Sequence, residues 1–119
     1  MMTLIEVIKK LNCYSILMYD GEEYPDELAD IVVSDGFIES TRFPTKTICE
    51  MCRISSKYVV IYWKHLLTMT RVRKTNDGGY DNIYCVKEMR ILAGENGLKI
   101  KEKIPMEKNG EEIWVMEKV

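Results

Sequence analysis

The sequence predicts an α+β domain in which four helices precede two β-hairpins. Three observations predict it. Apolar residues recur at helical spacing through the first half of the chain. Two stretches of alternating or β-prone residues flank turn clusters in the second half. The 119 residues, 46% hydrophobic and 30% charged, have the size and balance of one domain (1–119) with a single core.

From Thr3 to Met18, apolar residues fall at Leu4, Val7, Ile8, Leu11, Tyr14 and Met18, and Gly21 follows as a stop. Pro25 fits the first turn of a second helix, with Asp26 and Glu27 at the positive end of its dipole and Leu28, Ile31 and Val32 on its apolar side. Gly36 would close it, and Phe37 to Phe43 would extend as a short strand. Thr45 or Thr47 opens a third helix to about Arg53, Thr47 and Glu50 having the form of a capping box. Ser55 or Ser56 then caps a fourth, running to Thr68 or Met69. Asn76-Asp77-Gly78-Gly79 is a turn between two β-prone arms, Arg71 to Thr75 and Tyr80 to Val86. Lys87 to Leu92 fits either a strand or a short helix. Alternation from Leu98 to Ile104, the turn signal Asn109-Gly110 and alternation again to Val119 predict a final hairpin with one buried face.

The net charge of −2 conceals a strong asymmetry. Residues 1–41 hold two bases and nine acids, residues 42–74 eight bases and one acid, and residues 75–119 seven bases and nine acids. A polyanion at close range meets the local surface, because salt screens charges beyond about 10 Å. The middle block therefore points to nucleic acid.

Within that block, Cys49, Arg53 and Val59 fall where the helix-turn-helix of DNA-binding proteins has a small residue, a turn residue and an aliphatic one. Ile48, Cys52, Ile54, Trp63 and Leu66 fit its core positions. With the hairpin at 71–86 directly after, the segment 25–86 resembles a winged helix-turn-helix. Arg53 departs from the usual turn glycine. The resemblance implies a fold of winged helix-turn-helix with an extra N-terminal helix (1–24) and a C-terminal β-hairpin within 87–119. It implies a double-stranded DNA-binding transcriptional regulator that is no enzyme, reading the major groove with helix 56–68 and the backbone with wing 71–86. The residues it would use are Arg42, Lys46, Ser55, Ser56, Lys57, Tyr58, Ile61, Lys64, His65, Arg71, Arg73 and Lys74. The apolar side of the N-terminal helix would serve a homodimer. The alternative expectation is a winged helix that binds protein and not DNA.

Other chemistries have thinner support. Cys49-x-x-Cys52 has the spacing of half a zinc site, but Cys13 and Cys85 form no matching pair, so no metal and no cofactor are expected. A metal or redox sensor built on Cys49 and Cys52 is a third reading. One histidine, no glycine-rich phosphate loop and no nucleophile triad argue against catalysis. No apolar run spans a membrane and no leader is evident, so the expected location is cytoplasmic.

Overall fold

A computed structural model describes residues 2–66, 73–82, 84–106 and 110–119. Its centre is a mixed β-sheet, and not a helical core. The elements are α1 (Leu4–Lys10), β1 (Ile16–Met18), β2 (Ala29–Asp35), α2 (Phe37–Ser40), α3 (Pro44–Ile54), β3 (Ser55–Leu66), β4 (Tyr84–Cys85), α4 (Val86–Glu95), β5 (Leu98–Pro105) and β6 (Glu111–Lys118). Five strands lie in the order β1-β2-β3-β6-β5, and β4 pairs the end of β3. β1, β2 and β3 are parallel, while β6 runs antiparallel to both β3 and β5.

Residues 56–66 of the expected helix 56–68 are therefore part of a strand, and this overturns the winged helix-turn-helix. The run Tyr58-Val59-Val60-Ile61-Tyr62-Trp63 is entirely β-branched and aromatic, the residue types that pack best on a pleated surface and lose most χ1 freedom in a helix. Val59, Val60 and Ile61 are all fully buried, as a strand covered on both faces requires. The second expected helix, from Pro25 to a cap at Gly36, gives way to β2 for the same reason: Ile31-Val32-Val33 is a β-branched run buried on both faces.

Smaller corrections follow from turns. α1 starts as expected, with Glu6 N–H donating to the Thr3 hydroxyl, but Asn12 takes a left-handed backbone (φ 51°), so the chain leaves the helix and forms β1 at Ile16–Met18. Gly36, also left-handed (φ 82°), turns β2 into a short helix at Phe37–Ser40 where a strand was expected. α3 lies where a helix was expected but begins at Pro44, so no capping box forms; the Thr47 hydroxyl donates to Phe43 O and Glu50 binds Arg53. Of the expected wing 71–86, the described residues 73–81 form a hairpin tip, with Asp81 N–H donating to Arg73 O. Thr75 N–H donates to Gly79 O and Lys74 bridges Tyr80, but the chain beyond enters β4, parallel to β3, and then α4. Residues 67–72, with Arg71, lie outside the described residues. The final hairpin runs from Leu98↔Lys118 to Pro105↔Glu112, and Ile113 to Met116 are buried on both faces where one buried face was expected.

Two cores sit on the two faces of the sheet. Val59, Ile61, Trp63 and Trp114 face α3 and α4, with Ile48, Met51 and Met89 above them. Ile31, Val33, Val60, Ile113 and Val115 face the other way, under Val7 and Ile8 of α1. The apolar side of α1 is thus covered by its own sheet, which removes the basis for a dimer through the N-terminal helix. No helix among the described residues is long and apolar enough to cross a membrane.

Candidate binding cleft at the carboxyl ends of β1 and β2

In parallel α/β sheets, ligands bind in the crevice outside the carboxyl ends of the strands. Here β1 ends in Tyr19-Asp20-Gly21 and β2 in Asp35-Gly36-Phe37. Between the β1 loop and α3 lies a cleft of about 460 Å³ lined by Gly21, Glu22, Glu23, Tyr24, Lys46 and Arg53, with Tyr19 and Glu50 at its floor. A second lobe of about 160 Å³ continues it past Phe37, Thr41, Phe43 and Thr47.

The walls are fixed by specific contacts. Tyr19 N–H donates to Val33 O, and its ring meets Phe37 edge-on at 5.1 Å. Asp20 accepts from Glu22 N–H and from the Tyr24 hydroxyl at 2.9 Å; these bonds hold its carboxyl below the ordinary carboxylate range and raise the Tyr24 phenol. Burial, with the Glu50 and Asp20 charges, pushes the Tyr19 phenol up. Arg53 ties three segments together. It donates to Glu50 at 2.6 Å, to Tyr24 O at 2.7 Å and to Asp26, and its C=O accepts from Glu27 N–H. Glu50 first, then Asp26, raise its pKa further. The residue read from sequence as an unusual turn position is thus the clamp on the cleft's outer wall. Among the described residues, the carboxylates of Glu22 and Glu23 make no hydrogen bond.

Of the residues expected to read DNA, only Lys46 borders this cleft. Arg42 lies over the Phe43 ring at 5.2 Å. Ser55 is buried and donates to Cys52 O, while Ser56 donates to Asp30. Lys57 is exposed, and Tyr58 accepts from Lys101 at 3.4 Å. Ile61 is fully buried. Lys64 is exposed, and its backbone N–H donates to Glu39. His65 pairs with Glu112, and Arg73 with Asp81. Lys74 sits at the turn bridge. Ser56 and His65 stand at opposite ends of one extended strand, roughly 30 Å apart at 3.3 Å per residue, so no protruding helix end presents them together.

All four cysteines are free, and among the described residues no group of three or more His, Cys, Asp or Glu side chains could hold a metal ion. The sequence reading missed Tyr19, Gly21, Phe37, Glu50 and Arg53 as cleft residues. A signal existed: two short apolar runs each end near Asp-Gly, at Asp20-Gly21 and Asp35-Gly36, where a strand turns sharply at its carboxyl end.

The mixed sheet flanked by helices is Rossmann-like, and the fold is shared with solved structures of S-adenosylmethionine-dependent methyltransferases. Among solved structures, the chain is similar to 1,6-didemethyltoxoflavin-N1-methyltransferase from Burkholderia thailandensis, solved with 1,6-didemethyltoxoflavin and S-adenosylhomocysteine (TM-score 0.65, 10% identity, 82% of this chain, 47% of that one). It is also similar to a SAM-dependent methyltransferase from Methanosarcina mazei (TM-score 0.60, 12% identity, 83% and 63%). A third is a family 2 O-methyltransferase from Planctomyces limnophilus in complex with apigenin (TM-score 0.59, 14% identity, 83% and 32%). The chain spans less than two thirds of the length of each. No family model matches, and no curated protein is similar in sequence. The fold and its solved neighbours overturn the expectations of a DNA-binding regulator with double-stranded DNA as partner, of a winged protein-interaction module, and of a chain that is no enzyme.

Proposed function

We propose that this chain takes part in methyl transfer from S-adenosylmethionine, with the larger lobe of the cleft holding the nucleoside end of the donor. The observation that carries the reading is a cleft at the carboxyl ends of β1 and β2 in a methyltransferase-like fold. Its chemistry fits the donor. A volume of about 460 Å³ lies within the range of about 300–1,000 Å³ usual for small-molecule sites. Tyr19 and Tyr24 offer aromatic surface to an adenine ring. Glu22 and Glu23 offer unpaired carboxylates to a ribose diol, whose two hydroxyls donate. The unpaired carboxylates of Glu22 and Glu23 also favour the cationic end of a ligand on their side of the larger lobe.

When bound, the donor supplies an electrophilic methyl group on a sulfonium. The chain's own residues bind and orient. Arg53 holds the β1 loop against α3 through Glu50, Asp26 and Tyr24 O, so the loop that carries Glu22 and Glu23 is held in place. Asp20, already engaged by Tyr24 and Glu22 N–H, shapes the loop and leaves binding to its neighbours.

Isothermal titration with S-adenosylhomocysteine tests the reading. Binding at one to one, weakened about tenfold (about 1.4 kcal/mol) by Glu22→Gln with Glu23→Gln, is the expected result. No heat and no protection from unfolding at millimolar ligand would overturn it.

A further inference from the structure

The smaller lobe differs in chemistry from the larger. The rings of Phe37 and Phe43 line it, beside Thr41, Thr47, Lys46 and Glu50. Phe37 is held on two sides. Tyr19 meets it edge-on, and Gly21 lies so close that a Cβ there would stand 2.8 Å from Phe37 Cζ. Phe43 is 58% exposed beside the lobe, with the Arg42 guanidinium over its ring. One fixed aromatic wall and one largely exposed wall, with Arg42 over its ring, bound a space of about 160 Å³. An apolar cavity of about 150 Å³ accepts a benzene ring. The space therefore matches the volume of one six-membered ring.

The charge around the lobe selects further. Two cations border the joined lobes, Lys46 and Arg53. Arg53 is saturated by Glu50, Asp26 and Tyr24 O, and Glu50 is engaged by Arg53 in turn. Lys46 is exposed, borders both lobes and makes no ion pair among the described residues. It lies in the first turn of α3, which starts at Phe43 without a side-chain cap, so the helix dipole adds positive potential on the same side.

We propose that the smaller lobe binds a single-ring aromatic carboxylate, with its ring between Phe37 and Phe43 and its charge on Lys46. As the second ligand of the cleft, this compound rests on the methyl-donor reading of the larger lobe; the binding itself does not. The ring covers Phe43 and removes apolar surface from water, and the carboxylate gains a charge-assisted bond from an ammonium that otherwise meets only solvent.

Benzoate is the probe, followed by two-dimensional NMR of the full chain with and without saturating S-adenosylhomocysteine. Benzoate is expected to shift the Phe37, Phe43 and Lys46 signals saturably. Phe43→Ala and Lys46→Met are each expected to weaken it about tenfold, benzamide to bind about tenfold more weakly than benzoate, and cyclohexanecarboxylate to bind more weakly than either. Both substituted residues are exposed, and unchanged amide spectra elsewhere report that the variants fold. Absence of saturable shifts at 10 mM benzoate, or binding unchanged by Lys46→Met, overturns the proposal. S-adenosylhomocysteine binding without benzoate binding removes this site alone. Benzoate binding without S-adenosylhomocysteine binding removes the donor reading and leaves the aromatic site standing.

Discussion

The rings of Trp63 on β3 and Trp114 on β6 stand perpendicular, with centroids 4.8 Å apart. Both residues are fully buried, and they join the antiparallel half of the sheet to the layer of α3 and α4. The Lys103 ammonium lies 4.4 Å from the Trp114 ring centre, where burial lowers its pKa. Trp114→Ala is expected to cost about 3–5 kcal/mol by urea unfolding, through lost transfer free energy and the cavity left beside Trp63. Trp114→Phe keeps an edge-to-face contact and should cost less than half as much.

Gly21 carries a different constraint. Its φ of +87° disfavours any side chain, and the Phe37 ring occupies the place of a Cβ. Gly21→Ala should destabilise by about 1–3 kcal/mol and displace Phe37. Gly94 has nothing within 4 Å of its Cβ position and lies inside α4, so Gly94→Ala should stabilise by up to about 1 kcal/mol. Parallel urea titrations of the two variants measure both signs.

Glu39 sets a pH dependence. Burial raises its carboxyl pKa above 4.5, more than the Lys64 N–H bond lowers it, and the Glu111 charge adds to the rise. The folded state thus binds this proton more tightly than the unfolded chain. Its contribution is fully present below the unfolded value near 4.5 and is lost as pH climbs through the higher folded value. Glu39→Gln, whose side-chain oxygen still accepts from Lys64 N–H, should leave the protein more stable than wild type near neutrality and about equal at pH 4. Chemical unfolding at a series of pH values reads the difference.

The cysteines of α3 should part in reactivity. Cys49 is exposed, whereas Cys52 is buried, donates to Asn96 O, and has a thiol pKa raised by burial. Mass spectrometry after brief iodoacetamide treatment at pH 8 should find Cys49 modified and Cys52 intact. Equal labelling in the folded protein would contradict this packing.

What the sequence displayed was local. The α3 helix and the terminal hairpin were legible because Pro44 to Arg53 keeps helical spacing and Leu98 to Ile104 alternates beside a turn signal. The run Tyr58 to Trp63 is apolar throughout, and continuous burial carries no period, so helix and two-faced strand look alike in it. Only its β-branched and aromatic content separates them, and the same content in Ile31-Val32-Val33 would have placed two parallel strands about a crossover helix. The basic block was real in sequence, but a strand distributes its residues along its length and onto two faces. The Asp-Gly signals marked two strand ends, but not the cleft as a whole, because it joins residues near 20, 37 and 50, which the parallel pairings of β1, β2 and β3 bring together.

β3 joins the two halves of the sheet, and that role shapes the route to the folded state. The β5–β6 ribbon closes over a short connection, while Tyr58 finds Glu117 across about half the chain. Loop-closure entropy favours the ribbon as an early event, and the parallel pairing of β2 with β3 must wait for α3 to fold back between them. Refolding kinetics should therefore be governed by the docking of β3, with substitutions at Val60 slowing the return to the native state more than substitutions at Ile104.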